Sequence, residues 1–354
     1  MPGAVYQSVM VGGGYGTGRE IVEYFVSYGL LGGLLGFLVS FATVALVLGL
    51  TFELARLHRA YDYRNFFKRL LGPGWVAYEL LVVLQFLLVL AVLASAAGNI
   101  SRDSLGVPYF AGLVVMLAVI GVLTFYGREL VEKALTFWSV FLYAVFIAFF
   151  IMIFRNEGDA VVAQIAAAEA GSGWAVSGFK YALYNLATVP LLLYVARGFE
   201  TRAQALASGA VGALIALVPA LLFHVAFFAA YPAIVEQPIP VYWLLATYGS
   251  TGFLLVYSIM LFGTFIETGA GLLQGINERI DAFLVECWGR GRAAGKHALI
   301  AVAAVVVSAV VSLWGITNLI ARGYGTMAWV FFVIYIMPLL TIGAWQVWRR
   351  PGGE

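Results

Sequence analysis

Long apolar stretches alternate with short polar stretches along the whole chain. Most apolar stretches hold about 20 or more residues, the length that an α-helix needs to cross the hydrocarbon core of a bilayer. The pattern therefore predicts about ten membrane spans, numbered here in chain order. They cover about residues 5–28, 31–54, 75–98, 109–126, 130–154, 174–196, 203–230, 251–284, 297–316 and 325–347.

Composition supports this interpretation. Of the 354 residues, 63% are hydrophobic and only 11% are charged, whereas a soluble domain has about 25% charged residues. Lipid must cover the remaining apolar surface, so the chain is predicted to be an all-α integral membrane protein. The net charge of +2 gives no indication of a nucleic-acid partner, and the single cysteine, Cys287, excludes an internal disulfide and a multi-cysteine metal site.

The polar connections predict the orientation. Fifteen Lys and Arg residues are assigned to the connections between spans 2 and 3, 4 and 5, 6 and 7, and 8 and 9 or to the C-terminal end, including Lys133 and Arg279 near the ends of spans 5 and 8. Only four, including Lys180 near the start of span 6, are assigned to the opposite side. Basic connections stay in the cytoplasm. We therefore expect a multi-pass protein of the cytoplasmic (inner or plasma) membrane with both termini in the cytoplasm.

Spans 1 and 6 are interrupted. Span 1 contains "VGGGYGTGRE", residues 11–20, with five glycines, and span 6 contains "YNLATVP", residues 184–190. Glycine costs about 1 kcal/mol per residue in a helix interior, and Pro190 removes a backbone donor. Each break alone is also compatible with a kinked or closely packed helix.

Together, the two breaks suggest an internal repeat. Ten spans divide into two sets of five, and an odd number per set makes the second set enter the membrane from the other side. Such 5+5 inverted repeats are typical of secondary transporters, with discontinuous helices at corresponding places. We therefore predict a single transporter domain over residues 1–354, with repeats at about residues 5–154 and 174–347.

A break exposes backbone groups at membrane depth, which are tolerated beside a cavity or within protein. The second half-helix of span 1 begins near Gly18 and directs its positive N-terminus at the break, which suits an anion. The first half-helix ends in carbonyl groups, which suit a cation. The combination suits a zwitterion.

The segment "GGGYGTGREIVEYF", followed by about nine more spans, resembles the YkvI-like permeases of the amino acid–polyamine–cation superfamily. Those proteins have the five-plus-five LeuT-type fold and a similar "GAGFASGQE" segment in their first span. Gly12, Gly14, Gly18 and Glu20 match that pattern, whereas Arg19 replaces the expected Gln. The resemblance implies a transporter of small organic solutes, with amino acids as the default substrates.

The predicted substrate site lies between the two breaks. It comprises two groups, one from each span: Gly12, Gly13, Gly14, Tyr15, Gly16, Thr17, Gly18 and Arg19 from span 1, and Tyr181, Tyr184, Asn185 and Thr188 from span 6. Arg19 has two interpretations, because it can contact an anionic substrate group or pair with Glu23 one helical turn away. Glu20 points about 100° away from Arg19 and serves another face.

Span 8 offers candidates for ion coupling. Thr264, Glu267, Gly271, Gln274 and Glu278 are spaced by three and four residues and share one helical stripe. The resemblance implies that span 8 packs on the span 1 break and helps to form a sodium site. Two couplings follow: Glu267 binds a proton, or Thr264 and Thr268 bind Na⁺ together with carbonyls of Val11 and Gly14. Glu20 is added to the ion-coupling set, and an alternative is a purely structural polar stripe.

These features predict a secondary active transporter of amino acids or related zwitterions that works by alternating access and is driven by H⁺ or Na⁺. No ATP-binding motif or nucleophile–base pair occurs in the sequence, so neither an enzyme nor a cofactor is expected. The expected partners are a small-molecule substrate and the lipid bilayer. Alternatives are a passive channel or facilitator, an intramembrane enzyme, and a membrane-embedded solute sensor.

Overall fold

The computed structural model describes residues 6, 10, 13–126, 128–166, 169–288 and 294–349. These residues are almost wholly helical, and no β-strand occurs among them. The predicted all-α class is thereby confirmed. Two residues of the predicted sites, Val11 and Gly12, lie outside the described residues.

Helices occupy every predicted span. Span 1 consists of two short helices, and span 6 consists of an α-helix followed by a 3₁₀-helix. In order, the helices of the spans are Gly13–Gly16 with Arg19–Tyr24, Gly29–His58, Trp75–Leu105, Tyr109–Tyr126, Arg128–Asn156, Trp174–Leu186 with Val189–Gly198, Arg202–Phe227, Thr251–Trp288, Ala294–Ser312 and Ile316–Arg349.

Five helices of the described part are long and apolar enough to cross a membrane: Arg19–His58, Tyr63–Asp103, Arg202–Ala230, Thr251–Ile280 and Ile316–Arg349. Val140–Asn156 and Gly158–Ile165 together would make a sixth, bent by 77°. The apolar helices Tyr109–Thr124 and Leu299–Ser312 are shorter. The second half of span 1 is continuous with span 2 in Arg19–His58, and the break of span 6 leaves two short helices, Trp174–Leu186 and Val189–Gly198.

Three shorter α-helices of the described part lie in the polar connections. They are Tyr63–Leu71, Gly158–Ala166 and Pro240–Tyr248. Asp62 caps the first of them by accepting a hydrogen bond of 2.9 Å from the backbone N–H of Asn65. The third touches the break of span 1, because the backbone N–H of Val241 donates to the Thr17 carbonyl.

Glycines bring spans 6 and 7 close to span 2. A Cβ atom on Gly178 of span 6 would collide with the carbonyl group of Gly36 of span 2. A Cβ atom on Gly209 of span 7 would lie 2.6 Å from the Cα atom of Gly49. Only a residue without a side chain permits such an approach. Ser40 reinforces the first crossing by donating a hydrogen bond of 2.7 Å to the Gly178 carbonyl, so span 6 is fixed beside span 2.

Candidate functional site: the two broken helices

The break of span 1 is built by Thr17 and Gly18. The Thr17 hydroxyl donates a hydrogen bond of 2.6 Å to the Gly14 carbonyl and accepts one of 3.2 Å from the backbone N–H of Arg19. One side chain thus ties both half-helices together. Gly18 has a φ of 79°, in the left-handed region that glycine adopts without cost. A Cβ atom there would also strike Phe227.

Hydrogen-bond donors from the protein occupy the carbonyl groups of this break. The Gly16 carbonyl accepts from the Tyr257 hydroxyl of span 8 at 2.7 Å, and the Tyr15 carbonyl from the backbone N–H of Gly18 at 3.0 Å. The Thr17 carbonyl accepts from the backbone N–H of Val241 at 3.2 Å. The break is therefore clamped between span 8 and the short helix Pro240–Tyr248.

The break of span 6 falls at residues 187–188, between the α-helix and the 3₁₀-helix. Pro190 lies in the first turn of the 3₁₀-helix, where a missing N–H does not matter. The Thr188 hydroxyl donates to the Asn185 carbonyl at 2.9 Å, and the Asn185 amide donates to the Tyr181 carbonyl at 2.9 Å. Both predicted polar residues thus satisfy backbone groups of span 6 itself.

The two broken spans meet at Glu20. The hydroxyl of Tyr184 on span 6 donates a short hydrogen bond to Oε2 of Glu20. The other carboxylate oxygen lies over Gly14, 2.7 Å from where a Cβ atom of that residue would be. Only 5% of Glu20 is exposed. The carboxylate therefore lies directly on the span 1 break and in contact with span 6.

Tyrosines surround this carboxylate. The ring of Tyr184 lies with its centroid 5.5 Å from that of Tyr24, 5.5 Å from that of Tyr181 and 4.9 Å from that of Tyr324. The sequence predictions missed two of these residues. Tyr24 could have been found, because it lies one helical turn after Glu20. Tyr324 of span 10 gave no signal, since its proximity depends on the tertiary fold.

Two buried tyrosine hydroxyls near the Glu20 carboxylate, one on each broken span, lack a partner. Tyr15 is 1% exposed and Tyr181 is fully buried, and neither hydroxyl has a hydrogen-bond partner among the described residues. Both hydroxyls interact electrostatically with the Glu20 carboxylate and with each other. A buried hydroxyl without a partner costs about 1–3 kcal/mol. Such groups at the junction of two broken helices make this place a candidate site for a polar ligand.

Arg19 points away from this cluster. One guanidinium nitrogen donates to the carbonyl groups of Val235 and Gln237, at 2.7 and 3.1 Å, and another pairs with Glu23 at 2.9 Å. The structure thus contains the intrahelical ion pair that was one of the two interpretations of Arg19. In addition, Arg19 fastens the connection between spans 7 and 8 to span 1.

Span 8 packs on the break as the resemblance implied. A Cβ atom on Gly16 would lie 2.7 Å from a methyl group of Leu261. The Thr264 hydroxyl donates to the Met260 carbonyl at 2.9 Å and accepts from the Trp138 indole at 3.2 Å. Glu267 is half-buried, and its carboxylate makes no hydrogen bond or ion pair with any residue that the structure describes.

Two other buried carboxylates are neutralised by arginines. Glu53 of span 2 is fully buried and binds Arg56 through two hydrogen bonds of 2.8 and 2.9 Å, and Arg202 of span 7 at 3.3 Å. Glu79 of span 3 pairs with Arg279 of span 8 at 3.2 Å. The charge count had assigned Arg279 to a cytoplasmic connection, whereas the structure buries it in this pair.

In sequence, the chain is similar to the uncharacterized membrane protein YkvI of Bacillus subtilis (strain 168). The two are 23% identical over 293 residues, which cover 79% of this chain and 80% of the relative. No family model matches the chain. The similarity confirms the resemblance that the glycine-rich segment indicated.

Solved transporter structures have the same fold. MhsT in complex with L-phenylalanine is 14% identical with a TM-score of 0.61, covering 98% of this chain and 87% of MhsT. A Na⁺-coupled sialic acid symporter is 12% identical with a TM-score of 0.58, covering 94% and 79%. A manganese transporter of Eremococcus coleocola is 13% identical with a TM-score of 0.58, covering 96% and 77%. The chain is therefore an integral membrane protein that is similar to YkvI and has the LeuT-type fold.

Proposed function

We propose that the protein is a secondary active transporter of small organic solutes, with amino acids or related zwitterions as substrates. One observation carries the proposal: two broken helices meet at a buried carboxylate, Glu20, beside the unpartnered hydroxyls of Tyr15 and Tyr181. Discontinuous helices at membrane depth commonly form the substrate sites of secondary transporters. The substrate would contact the backbone from Gly12 to Gly18 and the segment 184–188.

The transport cycle requires alternating access. Arg19 and the Thr17 carbonyl hold the connection of spans 7 and 8 against the span 1 break. On the other side in the predicted orientation, the Glu79–Arg279 pair joins spans 3 and 8. Opening either path requires breaking the contacts on that side, so a solute at the break would reach one side at a time.

Coupling to an ion gradient is the second part of the proposal, with Glu267 as its first candidate. A half-buried carboxylate in a membrane span is costly and marks an ion or proton path. The Thr264 hydroxyl already uses its donor and one acceptor position, which favours proton coupling at Glu267 over a sodium site at Thr264. Coupling by Na⁺ through Thr264 and Thr268 stays the alternative, because one of the proteins with this fold is a Na⁺-coupled symporter.

Uptake into proteoliposomes tests the function. Purified protein is reconstituted, and uptake of radiolabelled amino acids is measured with an inward Na⁺ gradient, an inward H⁺ gradient or neither, with empty liposomes as the control. We expect accumulation above the external concentration with one of the two gradients. Equilibration without accumulation would identify a facilitator. Binding without flux would identify a solute sensor, and chemical conversion of the solute would identify an enzyme.

A further inference from the structure

We infer that Glu20, Tyr15 and Tyr181 form a subsite for a primary ammonium group, and that the substrates are amino-bearing solutes recognised through that group rather than through a carboxylate. This inference rests on the proposed function and narrows its substrate class. The three side chains lie at the junction of the broken spans, and all are buried.

The Glu20 carboxylate has no positively charged partner in the described part of the chain. Glu20 is 5% exposed, and its one hydrogen-bond partner in the described part of the chain is the Tyr184 hydroxyl. No Lys, Arg or His of that part forms an ion pair with it, since Arg19 binds Glu23 and two loop carbonyls instead. An ionised carboxylate in such surroundings needs a positive partner. A cationic ligand supplies one.

The number of free acceptors at the junction also matches a primary ammonium group. A primary ammonium group has three N–H donors and no acceptor, as in a lysine side chain. The junction offers three unused acceptors of the matching kind: Oε1 of Glu20, which accepts no hydrogen bond, and the hydroxyl oxygens of Tyr15 and Tyr181. An ammonium group bound there would have one N–H donor for each of these three oxygens. Charge-assisted hydrogen bonds of this kind are about twice as strong as neutral ones.

The same groups distinguish this ligand from a coupling ion. A proton on Glu20 would neutralise the carboxylate but add only one O–H donor, so it could give a partner to at most one of the Tyr15 and Tyr181 hydroxyls. A sodium ion at a broken helix is coordinated by unwound backbone carbonyls, and here Gly14, Tyr15, Gly16 and Thr17 already accept hydrogen bonds from the protein. An ammonium group uses only side-chain oxygens.

The aromatic rings favour the same ligand. The rings of Tyr24, Tyr184 and Tyr324 follow one another at centroid distances of 5.5 and 4.9 Å beside Glu20. Aromatic rings attract a cation that lies over their faces. For a substrate carboxylate, by contrast, the nearest cationic side chain along span 1 is Arg19, whose two terminal nitrogens bind Glu23 and the loop and which has only its buried Nε–H without a partner. The arrangement therefore favours binding of a substrate's ammonium group over binding of its carboxylate.

The experiment compares ligands that differ in one group. Binding to the purified protein is measured by isothermal titration at neutral pH, with and without Na⁺. Each probe set consists of an amino acid, the amine that lacks its carboxylate and the acid that lacks its amino group. One set is L-leucine, isoamylamine and 4-methylpentanoate, and the other is L-phenylalanine, 2-phenylethylamine and 3-phenylpropanoate. The other proteinogenic amino acids are tested as well. We expect each amine to bind within about tenfold of its amino acid and neither acid to bind, because a buried charged hydrogen bond contributes about 1.5–3 kcal/mol.

Variants assign the effect to the subsite. Glu20→Gln should weaken binding of the amines about 10- to 100-fold, whereas the matched control Asp159→Asn removes an exposed carboxylate and should change nothing. If Glu20→Gln does not fold, the double variant Tyr15→Phe with Tyr181→Phe keeps the carboxylate and should still weaken amine binding about tenfold.

The possible failures are distinguishable. Acids that bind as well as amines, or amine affinities unchanged in the folded Glu20→Gln or double Phe variant, overturn the inference and leave the proposed function intact. The same holds if Glu20→Gln removes only stabilisation by Na⁺. A wild-type protein that binds none of the probes overturns the proposed function, and the inference falls with it.

Discussion

Glu20 and Glu53 are both buried carboxylates, on consecutive spans, yet their surroundings differ completely. Two arginines bind Glu53, and one of them, Arg202, also donates a hydrogen bond of 2.6 Å to the Val347 carbonyl. Glu20 accepts one hydrogen bond, from the Tyr184 hydroxyl, and lies near the unpartnered hydroxyls of Tyr15 and Tyr181. Glu53 is neutralised within the chain and joins spans 2 and 7 to the C-terminal helix. Glu20 has no such counter-charge in the described part of the chain, which is why we infer a partner from outside it.

The largest expected effect is on stability. Glu53→Gln leaves the charges of Arg56 and Arg202 without their carboxylate, and we expect a loss of about 2–3 kcal/mol, reduced because Arg202 is partly exposed. Glu20→Gln should leave the stability of the ligand-free protein unchanged or higher, since it removes an uncompensated buried charge. Thermal unfolding in detergent measures both. Equal losses in the two variants would show that Glu20 is also a structural carboxylate.

The second prediction concerns ligand binding at the break. Gly14→Val places a Cβ atom only 2.7 Å from Oε1 of Glu20. The carboxylate must therefore move, which disturbs its hydrogen bond with Tyr184. We expect binding to disappear while the protein stays folded. Gly16→Val, which strikes Leu261, should act in the same way. Gly121→Val is the matched control, because no atom lies within 4 Å of its Cβ position. Normal binding by both site variants would place the site elsewhere.

A third carboxylate, Glu267, sharpens the comparison further. It lies in a membrane span like Glu20 but away from the tyrosine cluster, so its loss should affect coupling instead of binding. Glu267→Gln should bind and exchange substrate normally but fail to accumulate it under an imposed pH gradient. If Na⁺ drives transport, the Val variants of Thr264 and Thr268 should instead lose stabilisation by Na⁺. Uptake that ignores both gradients would contradict either form of coupling.

The sequence predicted the spans and both breaks because these features are local. Apolar length, the glycines of residues 12–18 and Pro190 determine backbone geometry within a few residues. The segment "GGGYGTGREIVEYF" resembles the YkvI-like permeases, and this resemblance predicted the LeuT-type fold. The pattern of spans and breaks alone was compatible with several transporter architectures. Span ends were less accurate: span 10 begins at Ile316 instead of about residue 325.

The partners of the site residues could not be predicted, because they depend on how the spans pack. Tyr324 reaches the break from span 10, and the carbonyl groups that bind Arg19 come from residues 235–237. The sequence showed only that Arg19 and Glu23 lie one turn apart, so it left two interpretations of Arg19 open. It also treated Arg279 as a loop charge, since nothing local indicates its pairing with Glu79.

A smaller effect is expected at Arg19. Arg19→Gln removes the contacts to the Val235 and Gln237 carbonyls, so the connection between spans 7 and 8 should open more often. The variant is combined with Glu236→Cys in a Cys287→Ser background, and labelling by a membrane-impermeant maleimide is measured. We expect faster labelling and an unchanged preference for amines over acids. A selective loss of anionic substrates would instead place Arg19 in contact with the solute.

The smallest effect concerns the hydroxyl of Tyr181. It has no partner in the described structure and is fully buried, so Tyr181→Phe should not lower the stability of the ligand-free protein. It should weaken amine binding about 3- to 10-fold, the value of one hydrogen bond. The matched control is Tyr335→Phe, whose buried hydroxyl is 2.6 Å from that of Thr51.

Tyr335→Phe should therefore show the opposite result, with about 1 kcal/mol less stability and unchanged binding. Thermal unfolding and titration with 2-phenylethylamine distinguish the two variants on the same samples. A loss of stability in Tyr181→Phe without any change in amine affinity would mean that its hydroxyl is satisfied in the ligand-free protein. In that case Glu20 would keep its uncompensated charge, but the ammonium group would lose one of its three acceptors.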